Sequence, residues 1–345
     1  MIYRSKAPLR LGLAGGGTDV SPYCDQFGGC VLNATINLYT YCTIVPKNDG
    51  QIKFFATDRE ENEVFSSELN LPLSGKLDLH KGVYNRIVKD YCAHPLSFEM
   101  TTYSDAPAGS GLGTSSTLVV CIIKAFVEWL NLSLSEYEIA QLAFQIERVE
   151  IGLSGGKQDQ YAATFGGFNF IEFEKDNRVI VNPLRLKENI VFELELSTLL
   201  YFTGVSRSSA KIIDDQKKSL TNINRLQSMH KIKEDACLIK EYLLKGNFNG
   251  FYETMKDAWA AKKGTSNSMT TPMMDDIYET AINAGAYCGK ISGAGGGGFM
   301  FLFIDPLKRQ QIKNALAKFD GNFVDFNFVN HGTYSWKIFD KKNVK

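Results

Sequence analysis

An excess of charge is the first thing this sequence lacks: 38 Lys and Arg stand against 38 Asp and Glu in 345 residues. Nucleic-acid binders ordinarily carry a basic surplus that neutralises phosphates, so the balance argues against that class while leaving room for a local anion site. There is also no CxxC pair and no regular cysteine framework. Cys24, Cys30, Cys42, Cys92, Cys121, Cys237 and Cys288 are scattered along the chain, the pattern of reduced thiols in a cytosolic protein. Long apolar runs are missing too. Leu118 to Ile123 is stopped by Lys124, well below the roughly 18 to 20 apolar residues that span a bilayer. Met1 to Arg10 has no continuous apolar signal core. The expected location is therefore the cytoplasm, with no membrane or nucleic-acid partner. The P-loop pattern GxxxxGK[ST] is absent as well, because no Lys follows Gly113.

What is present is ordinary globular material, 44% hydrophobic, in a pattern that mixes both element types. Ala34 to Val45 and Gln51 to Ala56 read as strands, the second after the Asn48-Asp49-Gly50 turn signal. Lys81 to Cys92 reads as helix, Ser97 to Tyr103 as strand, and Leu118 to Leu130 as a buried helix. Ser135 and Glu138 make a capping-box signature before Ile139, Leu142, Ala143 and Ile146, which recur on one helical face. Phe168 to Phe173 and Ile190 to Tyr201 are expected strands, with helices over Ser209 to Leu244 (broken once) and Phe251 to Lys262. The last third alternates: helix from Asp275 to Tyr287, glycine turn from Lys290 to Gly298, strand from Phe299 to Ile304, helix from Leu307 to Phe319, strand from Gly321 to Phe328. This predicts an α+β fold with a boundary near Asn182-Pro183, giving halves 1–182 and 183–345. Gly293 to Gly298 is expected to return to the first half and close the site.

Three segments carry chemistry. Between a strand and a helix lies Pro107-Ala108-Gly109-Ser110-Gly111-Leu112-Gly113-Thr114-Ser115-Ser116. Glycines at alternate positions let successive amides turn into one concavity, and the helix start adds unpaired N–H groups that favour an anion. The plainer reading is a tight strand-to-helix turn. Next, Glu147 sits late in the capped helix and Asp159 follows the loop Gly152-Leu153-Ser154-Gly155-Gly156-Lys157-Gln158. Two carboxylates brought to a glycine cradle suit magnesium binding and activation of a hydroxyl, although Glu147 beside Arg148 and Glu150 also suits a solvent-facing position. Finally, Gly15-Gly16-Gly17-Thr18-Asp19 opens space near backbone where Asp19 can accept two hydroxyl hydrogen bonds. A glycine turn with Asp19 capping a helix is the alternative.

These segments resemble the motifs of the galactokinase, homoserine kinase, mevalonate kinase and phosphomevalonate kinase superfamily. The first is similar to Pro8 to Asp19, the second to Pro107 to Ser115, the third to Ile291-Ser292-Gly293-Ala294-Gly295-Gly296-Gly297-Gly298. Thr114 and Ser116 depart from the usual Ser and Ala. The resemblance implies a left-handed βαβ unit in the N-terminal half and a ferredoxin-like C-terminal half. It implies ATP and Mg²⁺, with Pro107, Gly109, Ser110, Gly111, Leu112, Gly113, Thr114, Ser115 and Ser116 around the nucleotide phosphates and Ser115 with Glu147 on the metal. Asp159 matches the catalytic aspartate, one residue later than usual, with Arg10 or Lys157 stabilising charge during transfer. Gly16, Gly17, Thr18, Asp19, Gly156, Gly293, Gly295 and Gly296 fall at the acceptor. The Glu and His of galactokinases are replaced by Gly16 and Gly17, which argues against galactose.

Ala14 to Asp19, Gly155 to Tyr161 and Phe202-Thr203-Gly204-Val205-Ser206-Arg207 look like the bacterial heptose 7-phosphate kinases, a branch that phosphorylates the anomeric 1-hydroxyl. The expected partner is thus a small sugar phosphate, with a homodimer allowed. Arg207 suits the sugar's own phosphate, or else solvent. Fucokinase is the runner-up, and a non-catalytic sugar or ATP sensor is the reading from another class.

Overall fold

The computed structural model describes residues 1–205, 212–213, 222–266 and 268–339. Two long strands form the spine of its larger sheet: β1 (Ile2–Ala14) and the 18-residue β2 (Gly29–Pro46), antiparallel to one another. The length of β2 lets it pair twice. Its first residues, Gly29 to Ala34, bond to β6 (Phe168–Phe173), and Thr40 to Pro46 bond to β5 (Phe98–Ser104). With β3 (Gln51–Ala56), β4 (Glu61–Ser66), β7 (Val179–Pro183) and β12 (Tyr334–Ile338) this makes an eight-stranded sheet in the order β12-β1-β2-β5-β3-β4, with β6 and β7 extending from β2. The β3–β5 pair is parallel, since the chain crosses between them through the helix α2 (Asp78–Ile87). The other helices of this half are the short α1 (Tyr23–Phe27), α3 (Thr114–Leu130), α4 (Glu136–Phe144) and α5 (Gln158–Phe165).

The helix α3 is apolar nearly all round because it is buried nearly all round. Val119, Val120, Ile122, Ile123 and Phe126 have no exposure and share one core with Ile44, Phe54, Tyr84, Phe98 and Met100. At about 1.5–3 kcal/mol per fully buried large side chain, this core holds the start of α3 in place.

The second half contains α6 (Glu188–Leu196), β8 (Thr198–Phe202), α7 (Ile223–Lys245), α8 (Phe248–Lys263), α9 (Pro272–Asn283), β9 (Ala286–Ile291), β10 (Phe299–Ile304), α10 (Arg309–Leu316) and β11 (Asn322–Val324). Its antiparallel sheet runs β11-β8-β10-β9, the order of a ferredoxin-like βαββαβ unit. The run Phe299-Met300-Phe301-Leu302-Phe303-Ile304 is buried on both faces, as a central strand must be. Alternate residues serve different cores: Phe299, Phe301 and Phe303 meet Leu9 and Leu11 of β1, whereas Met300, Leu302 and Ile304 meet Ile277 of α9 and Ile312 of α10. The two halves are therefore joined by a shared apolar layer.

Two expectations need correction. Ile190 to Tyr201 is not one strand. Its first part is α6, where Ile190 and Leu194 are buried one helical turn apart, and only Thr198–Phe202 extends. The division near Asn182-Pro183 falls at the end of β7, but the range 183–345 does not stay together. Phe328 bridges to Ile36, and Tyr334–Ile338 pairs with Ile2–Lys6, so the tail joins the first sheet. Among the described residues no helix is long and apolar enough to cross a membrane, and all seven cysteines are free thiols.

Candidate active site

The segment from Ser104 to Thr114 links a strand of the main sheet to the buried α3. Leu112 is its anchor, fully buried in the layer shared by both halves. Around that anchor the backbone is folded on two other segments. Phe299 N donates to Ser110 O at 2.9 Å, Ser292 Oγ to Gly111 O at 2.8 Å, and Arg10 N to Leu112 O at 3.1 Å. Gly111 is indispensable to this approach: with φ at 80°, an added Cβ would stand 2.5 Å from Ser292 O. The second and third glycine segments thus lie backbone on backbone. Beyond Gly113 the first turn of α3 presents Thr114, Ser115 and Ser116, whose amides and aligned dipoles favour an anion.

Arg10 reaches this cradle from β1. Its Nη1 donates to Gly111 O at 2.5 Å, while Nε and Nη2 converge on Asp159 Oδ1 at 2.8 and 2.6 Å. Asp159 is in the first turn of α5, and the Arg10 side chain is 5% exposed against 22% for Asp159. The carboxyl abuts the cradle so closely that a Cβ on Gly113 would be 3.2 Å from its Cγ.

Glu147 arrives by a local irregularity. The capping box of Ser135 and Glu138 starts α4 as expected, but Gln145–Glu150 continues as a wider π-helical turn that buries Glu147 completely. The solvent-facing alternative is excluded. Gln160 Nε2 donates to Glu147 Oε2 at 2.7 Å and to Ser116 Oγ at 3.1 Å. Arg148 Nη2 donates to the same Ser116 Oγ at 3.0 Å. Arg148 Nη1 is 3.3 Å from Glu147 Oε1 but misaligned, so this oxygen has no hydrogen bond. Burial pushes the carboxyl's pKa above its usual range, opposed mainly by Arg148. The same guanidinium donates to Ser154 O and Gly156 O, which wraps the glycine loop around it.

Across the cleft, Asp19 accepts from Gly17 N through Oδ1 and from Gln158 N through Oδ2, both at 3.0 Å. A Cβ on Gly156 would be 1.9 Å from Asp19 Oδ2. These pieces enclose a cavity of about 290 Å³ whose wall includes Arg10, Asp19, Gly111, Glu147, Asp159 and Gly295.

Several expected residues serve the wall without lining it. Ser110 and Leu112 hold the cradle from behind, and Pro107 lies outside the cavity lining. Thr18 Oγ1 pins its turn within 2.8 Å of Gly15 O and Cys30 O. Gly293 and Gly295 line the cavity, whereas Gly296 packs on Ile212. Lys157 is turned away: its ammonium donates to Asn177 Oδ1 at 2.7 Å and lies over the Phe144 ring. Its loop neighbour Gly156 accepts from Arg148, and Gln158 and Asp159 line the cavity instead. Arg207 lies outside the described residues. Lys262 and Lys290 were not foreseen, yet both are on the wall. The only sequence signal was their place at an element end, a helix for one and a strand before a glycine turn for the other.

An amide-lined cradle at a helix start, facing a fixed carboxylate across a polar cleft, defines the class: a small-molecule kinase without a P-loop. Residues 78–167 match the family of GHMP kinases by its N terminal domain and residues 239–322 by its C terminal domain. A "D-glycero-alpha-D-manno-heptose 7-phosphate kinase" of Campylobacter jejuni is 52% identical over 97% of this chain and 99% of its own. Among solved structures, a D-glycero-D-manno-heptose 1-phosphate kinase from Bacteroides thetaiotaomicron is 48% identical, with a TM-score of 0.84 covering 98% of this chain and all (100%) of the other. A Lactococcus lactis galactokinase complexed with galactose has a TM-score of 0.75 over 96% of this chain and 95% of its own at 18% identity, and so shares the fold. The chain belongs to the GHMP kinases, which are ATP-using enzymes.

Proposed function

We propose that this kinase transfers the γ-phosphoryl group of ATP to the anomeric 1-hydroxyl of D-glycero-D-manno-heptose 7-phosphate, giving the 1,7-bisphosphate for nucleotide-activated heptose and surface glycans. The observation that carries the reading is the full-length likeness to a heptose 7-phosphate kinase, together with a cleft whose Arg10–Asp159 pair stands beside the glycine cradle.

On this reading the amides from Gly109 to Ser116 hold the nucleotide phosphates. A small recess that shares Thr114 and Ser115 with the cradle and is walled by Thr40, His80, Thr102 and Leu118 adjoins the phosphate side. Arg10 engages Asp159 through Oδ1 alone, which leaves Oδ2 to accept the proton of the 1-hydroxyl. The same guanidinium offers positive charge where negative charge develops. Lys157, occupied by Asn177, has no part in the transfer. Asp19 and the glycine turn before it receive sugar hydroxyls.

The residues fit a magnesium ion. Glu147 has a buried carboxylate oxygen without a hydrogen bond, and one or two carboxylates beside substrate phosphates are the usual Mg²⁺ environment. Ser116 Oγ is already engaged by Gln160 and Arg148, so Ser115 and Glu147 are the groups that would hold it. Bound there, Mg²⁺ neutralises charge on the transferring phosphoryl group. The cytoplasm, where ATP is available, is the proposed location.

The test is ADP release from the purified protein offered heptose 7-phosphate, fucose, mannose, galactose, mevalonate and homoserine in turn, with the product's anomeric phosphate read by phosphorus NMR. A specificity constant highest for heptose 7-phosphate is expected. Preference for fucose, or no sugar-dependent ADP release at all, overturns the reading in favour of a fucokinase or a sensor.

A further inference from the structure

Among the described residues of the cavity wall four cations stand against three carboxylates, and two of the cations form no ion pair. Arg10 is paired with Asp159, and Arg148 neighbours Glu147. The third carboxylate on the wall, Asp19, gives its two oxygens to backbone amides. Lys262 and Lys290 form no ion pair with any described residue, although they are only 4% and 6% exposed. Each has a backbone carbonyl instead: Lys262 Nζ donates to Gly16 O at 2.6 Å and Lys290 Nζ to Leu13 O at 3.4 Å. A buried ammonium is tolerated at such a cost only when something else meets its charge. Here both amines line a cavity.

The two lysines are not equivalent. Lys290 makes the longer hydrogen bond, lies 5.8 Å from the centre of the Phe301 ring, and is strongly disfavoured as a cation by burial, then by Lys262 and Arg10. Lys262 has the shorter bond and faces Asp19 as well as Arg10 and Lys290. It also touches the glycine turn of the acceptor side, with Gly16 leaving only 3.5 Å between a notional Cβ and Nζ. The nucleotide phosphates have their own donors at the start of α3. An ammonium has three N–H groups, and the Gly16 carbonyl uses one.

We propose that Lys262 binds the phosphate carried by the acceptor sugar, its ammonium supplying the buried counter-charge that selects a sugar phosphate over the free sugar. The inference rests on the sugar-phosphate reading given above. It makes the acceptor's dianion the partner for which the unmatched charge is kept. It also has a pH signature. Burial pushes the Lys262 pKa down to about 8, with Asp19 opposing and Arg10 adding to the fall. Below that pH the amine is charged and binds the dianion. Above it the contact is lost, and the bound phosphate in turn raises the pKa.

The experiment is calorimetric titration of heptose 7-phosphate, of unphosphorylated heptose and of a non-hydrolysable ATP analogue into wild type, K262M and K262Q, alongside turnover. K262Q keeps a donor within the turn, so it separates charge from local folding. Both variants are expected to weaken heptose 7-phosphate about 10- to 150-fold, the value of a lost charge-assisted hydrogen bond. The free sugar and the nucleotide should change by less than about threefold. In wild type, affinity for the phosphorylated sugar should fall from about pH 7 to about pH 9.5 while that for the free sugar holds. Equal losses for both sugars, or a loss confined to the nucleotide, overturn the inference. So does an unchanged ratio in variants of an enzyme that still turns over heptose 7-phosphate. If wild type itself neither binds nor phosphorylates that sugar, the substrate reading falls first and this one with it.

Discussion

Asp159 and Glu147 are carboxylates on the same wall, and their surroundings differ in a way that suits the different work proposed for them. Arg10 holds one oxygen of Asp159 and leaves the residue partly exposed, the condition for a base that must meet a substrate hydroxyl. Asp159→Asn should therefore lower kcat by about 10²- to 10⁴-fold, with nucleotide affinity by calorimetry nearly unchanged. Near-normal turnover would show that positioning alone carries the transfer. Glu147 is fully buried, and its carboxyl is pushed toward the neutral form chiefly by burial. Glu147→Gln keeps the shape, so the variant should stay folded while turnover falls and the half-saturating Mg²⁺ concentration increases. A magnesium titration superimposable on that of wild type would sink the metal assignment.

At the scale of elements, the cleft is made by segments that touch through backbone. Gly156 allows the loop before α5 to lie against Asp19, where a Cβ would come within 1.9 Å of Oδ2. Gly156→Ala should raise KM for the sugar phosphate by about tenfold or more, the scale of a displaced charged hydrogen bond, and leave KM for ATP close to its wild-type value. Equal effects on both substrates would mean that the loop serves the nucleotide too. Gly298 has φ at 86° and would place a Cβ 2.2 Å from Ser110 O. Gly298→Ala should thus destabilise the protein by about 1–3 kcal/mol, measurable by urea denaturation. Unchanged stability would show that the two glycine segments separate readily.

For the whole molecule, the shared layer of Leu9, Leu11, Phe299 and Phe301 ties the halves together, and β12 returns the tail to the first sheet. A nucleotide analogue bound at this junction should shift one calorimetric transition as a unit. At 100 times its Kd the stabilisation is about 2.7 kcal/mol, or roughly 5–10 °C for a domain of about 150–250 residues and less for a larger cooperative unit. Two transitions of which only one moves would show that the halves unfold separately.

The local grammar of the chain was legible in advance. The capping box before α4, the glycine segments, the alternating strands and the carboxylates at Asp19 and Asp159 are all written in near neighbours, because turns, caps and periodicity depend on residues a few positions apart. Tertiary structure decided what those pieces meet. Arg10 and Asp159 are 149 positions apart, Gly111 and Ser292 181, Gly16 and Lys262 246. No local rule shows that a π-helical turn buries Glu147, that Lys157 donates to Asn177, or that Tyr334–Ile338 pairs with β1. Sequence by itself determined an α+β chain with three glycine segments and carboxylates close to them in the chain. Only the fold decided that Lys262, from the end of α8, is buried against the Gly16 carbonyl and, among the described residues, forms no ion pair, because that contact joins segments far apart in the chain.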